Sequence, residues 1–247
     1  MRIDRAIVAC DDNPLYTEFW PVVAKSWSLI GIKPTLFLIS DKQQVDESLG
    51  DVIRISPIES IPTSFQAQCV RMLGPAMFEN EVSIMSDIDM MPLSKEYFVK
   101  QIEEISDDDF VIFSSDAYED IPDFPCYPMC YNAAKGSLYK EIFKYDLTQY
   151  AKAMHDWHSL DHGWTTDERV LYSNFMDWKE NNSNYKMLRR GWHPFATGRV
   201  DRAHMKFEPG LMLLDRYIDF HMVRPYNQHK ETIDNIYEWL KTMVMNE

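Results

Sequence analysis

The chain has 247 residues, 45% of them hydrophobic, with seven Trp and thirteen each of Tyr and Phe, enough apolar side chain to fill a large core and to exclude a disordered chain. Its 39 acidic and 25 basic residues give a formal net charge of −14, which repels nucleic acid and anionic lipid at long range. Only eight glycines are present, and neither GxGxxG nor GxxxxGK[ST] occurs, so an anionic substrate would need a metal or placed arginines rather than a Gly-rich loop.

From the N-terminus, RAIVACDD (5–12) reads as a buried strand ending in acids. Its apolar run is too short for a signal peptide, and no segment approaches the ~20 apolar residues of a membrane helix. The expectation is a soluble, intracellular, cytoplasmic protein. LYTEFWPVVAKSWSLIG (15–31) has helical spacing at Phe19, Val22, Val23, Trp27 and Ile30 and is closed by Gly31. TLFLISD (35–41) and DVIRISP (51–57) are the next strands. TSFQAQCVRMLGPAMF (63–78) reads as a helix with Thr63 or Ser64 as N-cap and Phe65, Cys69, Met72 and Leu73 on one face. VSIMSDID (82–89) is a fourth strand, SKEYFVKQIEEIS (94–106) a helix capped by Ser94, and DFVIFSSD (109–116) a fifth strand. The run Asp107-Asp108-Asp109 reads as a solvated junction.

Strand and helix alternate throughout this half, the pattern of a mostly parallel sheet with helices on both faces. Ligands of such sheets bind beyond the carboxyl ends of the strands. Three of the five strands end there in acids: Asp11 and Asp12, Asp87 and Asp89, and Asp116. Beyond residue 120 the chain becomes aromatic and Pro-rich, which predicts an ordered loop or short irregular strands. Helical patterns follow over 137–145, 148–157 and 165–178, then an extended and loop-like stretch over 205–229, and an amphipathic closing helix, KETIDNIYEWLKTMV. There is no internal repeat and no linker, so one domain is expected. The four cysteines complete no zinc pattern and read as free thiols of a reducing compartment.

Asp87 and Asp89 carry the first chemical signal. In an extended segment, residues i and i+2 face the same side, so both carboxylates can converge on one cation. Oxygen ligands suit Mg²⁺ or Mn²⁺, which also bind substrate phosphates. VSIMSDIDMMPLS (82–94) resembles the DxD segment of GT-A-fold glycosyltransferases, including its place after about four strand–helix steps. The resemblance implies a Rossmann-like α/β fold in a single domain and transfer of a sugar, as in a hexosyltransferase, from a UDP-, GDP- or dTDP-sugar. The acceptor would be a hydroxyl of a glycan, a glycolipid or a protein-linked sugar. It also implies that Asp87 and Asp89 hold Mn²⁺ or Mg²⁺ on the diphosphate. AIVACDDNPLY resembles the first strand and nucleotide-facing loop, which would bring Cys10, Asp11, Asp12 and Tyr16 to the base and ribose. The helix before the DxD would present Arg71 to the donor.

YIDFHMVRPYNQH resembles the late segment that supplies a third metal ligand and a basic phosphate contact, here His221 and Arg224, with His229 as the fallback ligand. HGWTTDERVLY can be explained as a capped helix start with Asp167 and Glu168 in its favourable first turn. The resemblance adds an acidic pair facing the acceptor, with Asp167 as the first candidate base and Glu168 the second. If Asp167 is a base the enzyme inverts; if it only orients the acceptor, retention is open. Asp116, Tyr118 and Trp164 are the acceptor-binding candidates, and Tyr127 and Tyr131 offer further flat surfaces. Trp157, His158 and His162 with Trp164 read as an aromatic lid, and His193 has no assigned role. Residues 1–115 would form the nucleotide-sugar-binding half, and 116–247 the half that binds acceptor and completes the metal site. The alternatives are an inactive nucleotide-sugar- or carbohydrate-binding module on the same fold, and a haloacid-dehalogenase-type phosphatase, whose DxD would follow the first strand rather than the fourth.

Overall fold

The computed structural model describes residues 1–189 and 198–246. The first half runs β1 (Arg5–Asp11), α1 (Pro14–Thr17), α2 (Trp20–Leu29), β2 (Lys33–Ile39), β3 (Asp51–Ile55), α3 (Thr63–Val70), β4 (Val82–Met85), β5 (Met90–Pro92), α4 (Lys95–Phe98) and β6 (Phe110–Ile112). The second half runs β7 (Asn132–Lys135), α5 (Gly136–Phe143), α6 (Tyr150–His158), α7 (Thr166–Lys179), β8 (Tyr185–Met187), β9 (Gly198–Val200), α8 (Pro209–Leu213), β10 (Tyr217–His221) and α9 (Tyr226–Met245). A seven-stranded sheet has the order β3-β2-β1-β4-β7-β6-β8, and only β7 runs antiparallel to its neighbours. No helix among the described residues is long and apolar enough to cross a membrane.

Both sheet faces are covered, as the nearly continuous apolar strands require. Along β1, Ala6, Val8 and Cys10 pack with α2, α4 and α9, while Ile7 and Ala9 point to the layer of α3, α5, α6 and α7. Trp27, Phe98 and Tyr131 form one aromatic knot and Phe110, Tyr139 and Phe175 another, with ring centroids 4.7–6.1 Å apart.

Several predicted elements are shorter or broken. The helix expected over 15–31 is two, α1 and α2, because Pro21 has no amide to bond back one turn. Neither Thr63 nor Ser64 caps α3; Pro62 precedes it, and the Thr63 hydroxyl donates instead to Asp11 at 2.9 Å. The helix from Ser94 does accept the Tyr97 amide at its cap, but it ends after one turn and continues as 3-10 structure over Lys100–Ile102. The stretch read as extended over 205–229 contains α8 and the first residues of α9.

A small second sheet, β5-β10-β9, lies at the carboxyl edge of the first. Its register pairs Met90 with His221 and Met91 with Phe220, and the Met222 amide donates to the Asp89 carbonyl at 2.9 Å. A strand from the end of the chain is thereby laid against the residues that follow the DxD.

Candidate active site

A cavity of about 460 Å³ opens beyond the carboxyl ends of β1 and β4, within the size range of small-ligand sites. Asp87 and Asp89 both line it, though not from an extended segment. β4 stops at Met85, and the DxD forms a turn in which the Met90 amide donates to the Asp87 carbonyl at 3.2 Å. The two carboxylates consequently have separate partners. Asp87 makes a short ion pair with Arg71, whereas Asp89 Oδ2 stands 3.5 Å from His221 Nε2 and 3.5 Å from an Arg202 nitrogen.

Arg71, just past the end of α3, is buried between two acids. Its Nη1 reaches Asp87 and the Ser86 carbonyl, and its Nη2 donates to Asp167 Oδ2 at 2.9 Å. One guanidinium thus serves the buried Asp167 and the partly exposed Asp87. Burial would push Asp87 up, but Arg71, with Cys130 and His221 nearby, holds it below the ordinary carboxylate range. Asp167 moves the other way: burial outweighs Arg71, and Glu168 and Asp87 add repulsion, raising it to about 7. Asp167 also accepts from Gln68 Nε2 at 2.8 Å and from the Glu168 amide at 2.9 Å, so both of its oxygens are engaged.

Glu168, one residue on in the first turn of α7, lines the cavity and accepts from the Tyr118 hydroxyl at 2.6 Å. Burial raises its carboxyl despite that bond. At the β1 end, Cys10, Asp11 and Tyr16 line the cavity; the Arg224 guanidinium lies over the Tyr16 ring, 4.8 Å from its centroid, and donates to its hydroxyl. The exposed Trp164 completes the rim.

Several of the residues expected at the site do not line it. Asp12 is exposed at the surface, and Asp116 pairs with Arg189 at 3.4 Å. Tyr131 is a core residue whose hydroxyl donates to the buried Asp219, and Tyr127 is buried against Tyr172 and Phe175. His229 lies on α9 and is not a lining residue, Trp157 is buried, and His193 lies outside the described residues.

Among the lining residues that were not sequence candidates are Gln68, Arg199 and Arg202. Gln68 stands three positions before Arg71, and that spacing on one helix face was its available signal. Arg199 and Arg202 lie in and after the three-residue strand β9, too short to show periodicity. Arg199 forms a two-point ion pair with Asp219, at 2.7 and 2.9 Å.

Among the described residues no group of three or more His, Cys, Asp or Glu side chains converges as a metal-binding cluster. Asp89 and His221 are adjacent, and Asp87, on the same cavity wall, is turned to Arg71. Two carboxylates and an imidazole are nonetheless a donor set that fits Mn²⁺ or Mg²⁺ in chemistry.

No protein-family profile matches the chain, and no curated protein matches it in sequence. Solved structures do match in shape. An active-site mutant of LgtC superposes with a TM-score of 0.53 at 11% identity, over 94% of this chain and 95% of that one. The galactosyltransferase LgtC in complex with donor and acceptor sugar analogs gives 0.50 at 11% identity, over 96% and 95%. The glycosyltransferase GlyE of Streptococcus pneumoniae gives 0.54 at 12% identity; all of this chain is covered but only 63% of that one. The chain has the mixed α/β architecture of these GT-A glycosyltransferases, a mostly parallel central sheet flanked by helices.

Proposed function

We propose that the protein is a metal-dependent glycosyltransferase that moves a sugar from a nucleotide-diphosphate sugar to an acceptor hydroxyl. The observation that carries this reading is the meeting of Asp89 and His221 at 3.5 Å, produced by the β5–β10 register, in a cavity that also holds Asp87 and Arg224. Fold likeness to proteins described as glycosyltransferases, one of them solved with donor and acceptor sugar analogs, supports it. The donor is a UDP-, GDP- or dTDP-sugar, and with four free cysteines we place the reaction in the reducing cytoplasm.

Asp87, Asp89 and His221 would hold Mn²⁺ or Mg²⁺, which when bound supplies charge neutralisation and Lewis acidity for the departing diphosphate. Arg224 and Arg202 add guanidinium donors suited to phosphate oxygens. Cys10, Asp11 and Tyr16 form the wall for base and ribose. Trp164 and Tyr118 lie on the acceptor side. Asp167, with both oxygens engaged, is a positioning group that fixes Arg71 and Gln68. Glu168 is the carboxylate left to meet the acceptor hydroxyl. Inversion at the anomeric carbon assigns it the role of general base, and retention assigns it the orientation of that hydroxyl.

Thermal shift with UDP, GDP or dTDP and their sugars, with and without Mn²⁺, is the test. A metal-dependent rise in Tm with one nucleotide is expected, and Asp89→Ala should abolish it while leaving the far-UV spectrum unchanged. Undiminished stabilisation in that variant overturns the metal assignment. Nucleotide binding without release of nucleoside diphosphate, across all acceptors, favours a binding module on this fold.

A further inference from the structure

A second, smaller cavity of about 230 Å³ adjoins the first, and Ser64, Gln68 and Trp164 line both. Its other walls come from residues that do not line the first. Pro62 and Phe65 stand at the start of α3, His158 at the end of α6, and Asp161 and Gly163 in the connection to α7. The Phe65 and His158 rings meet edge to face, with centroids 5.0 Å apart. Gly163 has a φ of +59°, a left-handed turn in which a Cβ is strained, and Trp164 follows it at the rim.

Trp164 is 69% exposed, the large apolar side chain most open to water on this face. Its backbone is anchored. Its carbonyl accepts from Gln68 Nε2, the same nitrogen that donates to Asp167 Oδ1. The rim between the two cavities is therefore built on the residue that also fixes Asp167. At the mouth of both cavities, the Trp164 ring is an apolar face that a ligand in either can reach.

The lining selects the occupant. The space is half that of the main cavity, enough for one ring and too little for a nucleotide. Among the described residues no Lys or Arg lines it, so a phosphate finds no counter-charge, and Asp161 would repel one. Flat rings beside an imidazole and a carboxylate suit a ligand with an apolar C–H face and hydroxyl groups at its edge, which is a pyranose. We propose that this cavity holds the sugar next to the one being glycosylated, so the acceptor is an oligosaccharide of two or more residues. The proposal rests on the glycosyl-transfer reading above.

Calorimetric titration of the full chain with bound nucleotide and Mn²⁺ separates the two. The probes are glucose to maltotetraose, xylose to xylotetraose and N-acetylglucosamine to chitotetraose. In at least one series the affinity should rise by about tenfold or more from monosaccharide to disaccharide. Phe65→Ala and His158→Ala, which touch only the second cavity, should erase that gain and keep the nucleotide-dependent rise in Tm. Asp161 has a φ of +53°, a left-handed conformation that Asn also tolerates, and Asp161→Asn should reduce the gain. If nucleotide binds but no series shows a length gain, including the case of no saccharide binding, the second-cavity proposal is overturned and the donor assignment stands. If neither nucleotide nor any saccharide binds, both are overturned.

Discussion

Arg71 is the residue on which the site's electrostatics turn, because its one positive charge is shared by Asp87 and Asp167. Replacing it by Met would leave the buried Asp167 and the partly exposed Asp87 without their counter-charge; for the buried Arg71–Asp167 pair the loss is about 3–5 kcal/mol, readable in urea unfolding. The double change Arg71→Met with Asp167→Asn should recover part of that loss. Asp167 also makes a definite pH signature. Burial lifts it from an ordinary 3.8 to about 7, so the folded state prefers its protonated form. That contribution is complete below its unfolded value and is lost as pH rises through about 7. The Tm of the wild type relative to Asp167→Asn should therefore fall between pH 4 and 7; a flat difference would show that Arg71 holds Asp167 ionised throughout. At Glu168 the expectation concerns rate. Glu168→Gln should lower transfer by about 10²-fold or more while the nucleotide-dependent rise in Tm persists. The candidates Asp87, Asp89 and His221 were legible because their residue types and order are local. That Asp87 would be held by Arg71 was not, since the two are 16 positions apart and belong to different elements.

Elements carry the site through a few close approaches. Position 136, the first of α5, requires glycine because a Cβ there would lie 2.2 Å from the Pro75 carbonyl oxygen and 2.5 Å from that of Phe78, atoms of a backbone that cannot swing aside. Gly136→Ala should cost about 1–3 kcal/mol, as overpacking does. Ser137→Ala, at the exposed next position, should stay within about 0.5 kcal/mol. Both are checked by chemical denaturation. The longer helices α5, α6, α7 and α9 and the strands β1 to β4 lie close to where their periodicity predicts them. β7 falls in the stretch read as an ordered loop or short irregular strands, whereas β8 and β9 were missed, because three residues of extended chain repeat no pattern and are held by neighbours rather than by their own preference. The β5–β10 register belongs with these, and it is what lays His221 beside Asp89.

At the scale of the molecule, the two halves of the chain share one sheet. β7, from the second half, lies between β4 and β6 of the first, and β8 closes the edge. Heating should therefore give one calorimetric transition with equal calorimetric and van't Hoff enthalpies, and residues 1–115 alone should not fold; a second transition would divide the chain into two units. An acidic chain with four arginines, Arg71, Arg199, Arg202 and Arg224, lining one cavity fits a small anion met locally rather than a polyanion met broadly. By itself the sequence determined the strand–helix alternation, the acids at the strand ends and the residue types offered to a ligand, because periodicity and strand termini are properties of neighbouring residues. The tertiary structure alone decided which of these acids meet. Asp167 reaches Arg71 from 96 positions away, and Asp116 turns to Arg189, because long-range pairing follows from packing and register that no local pattern encodes.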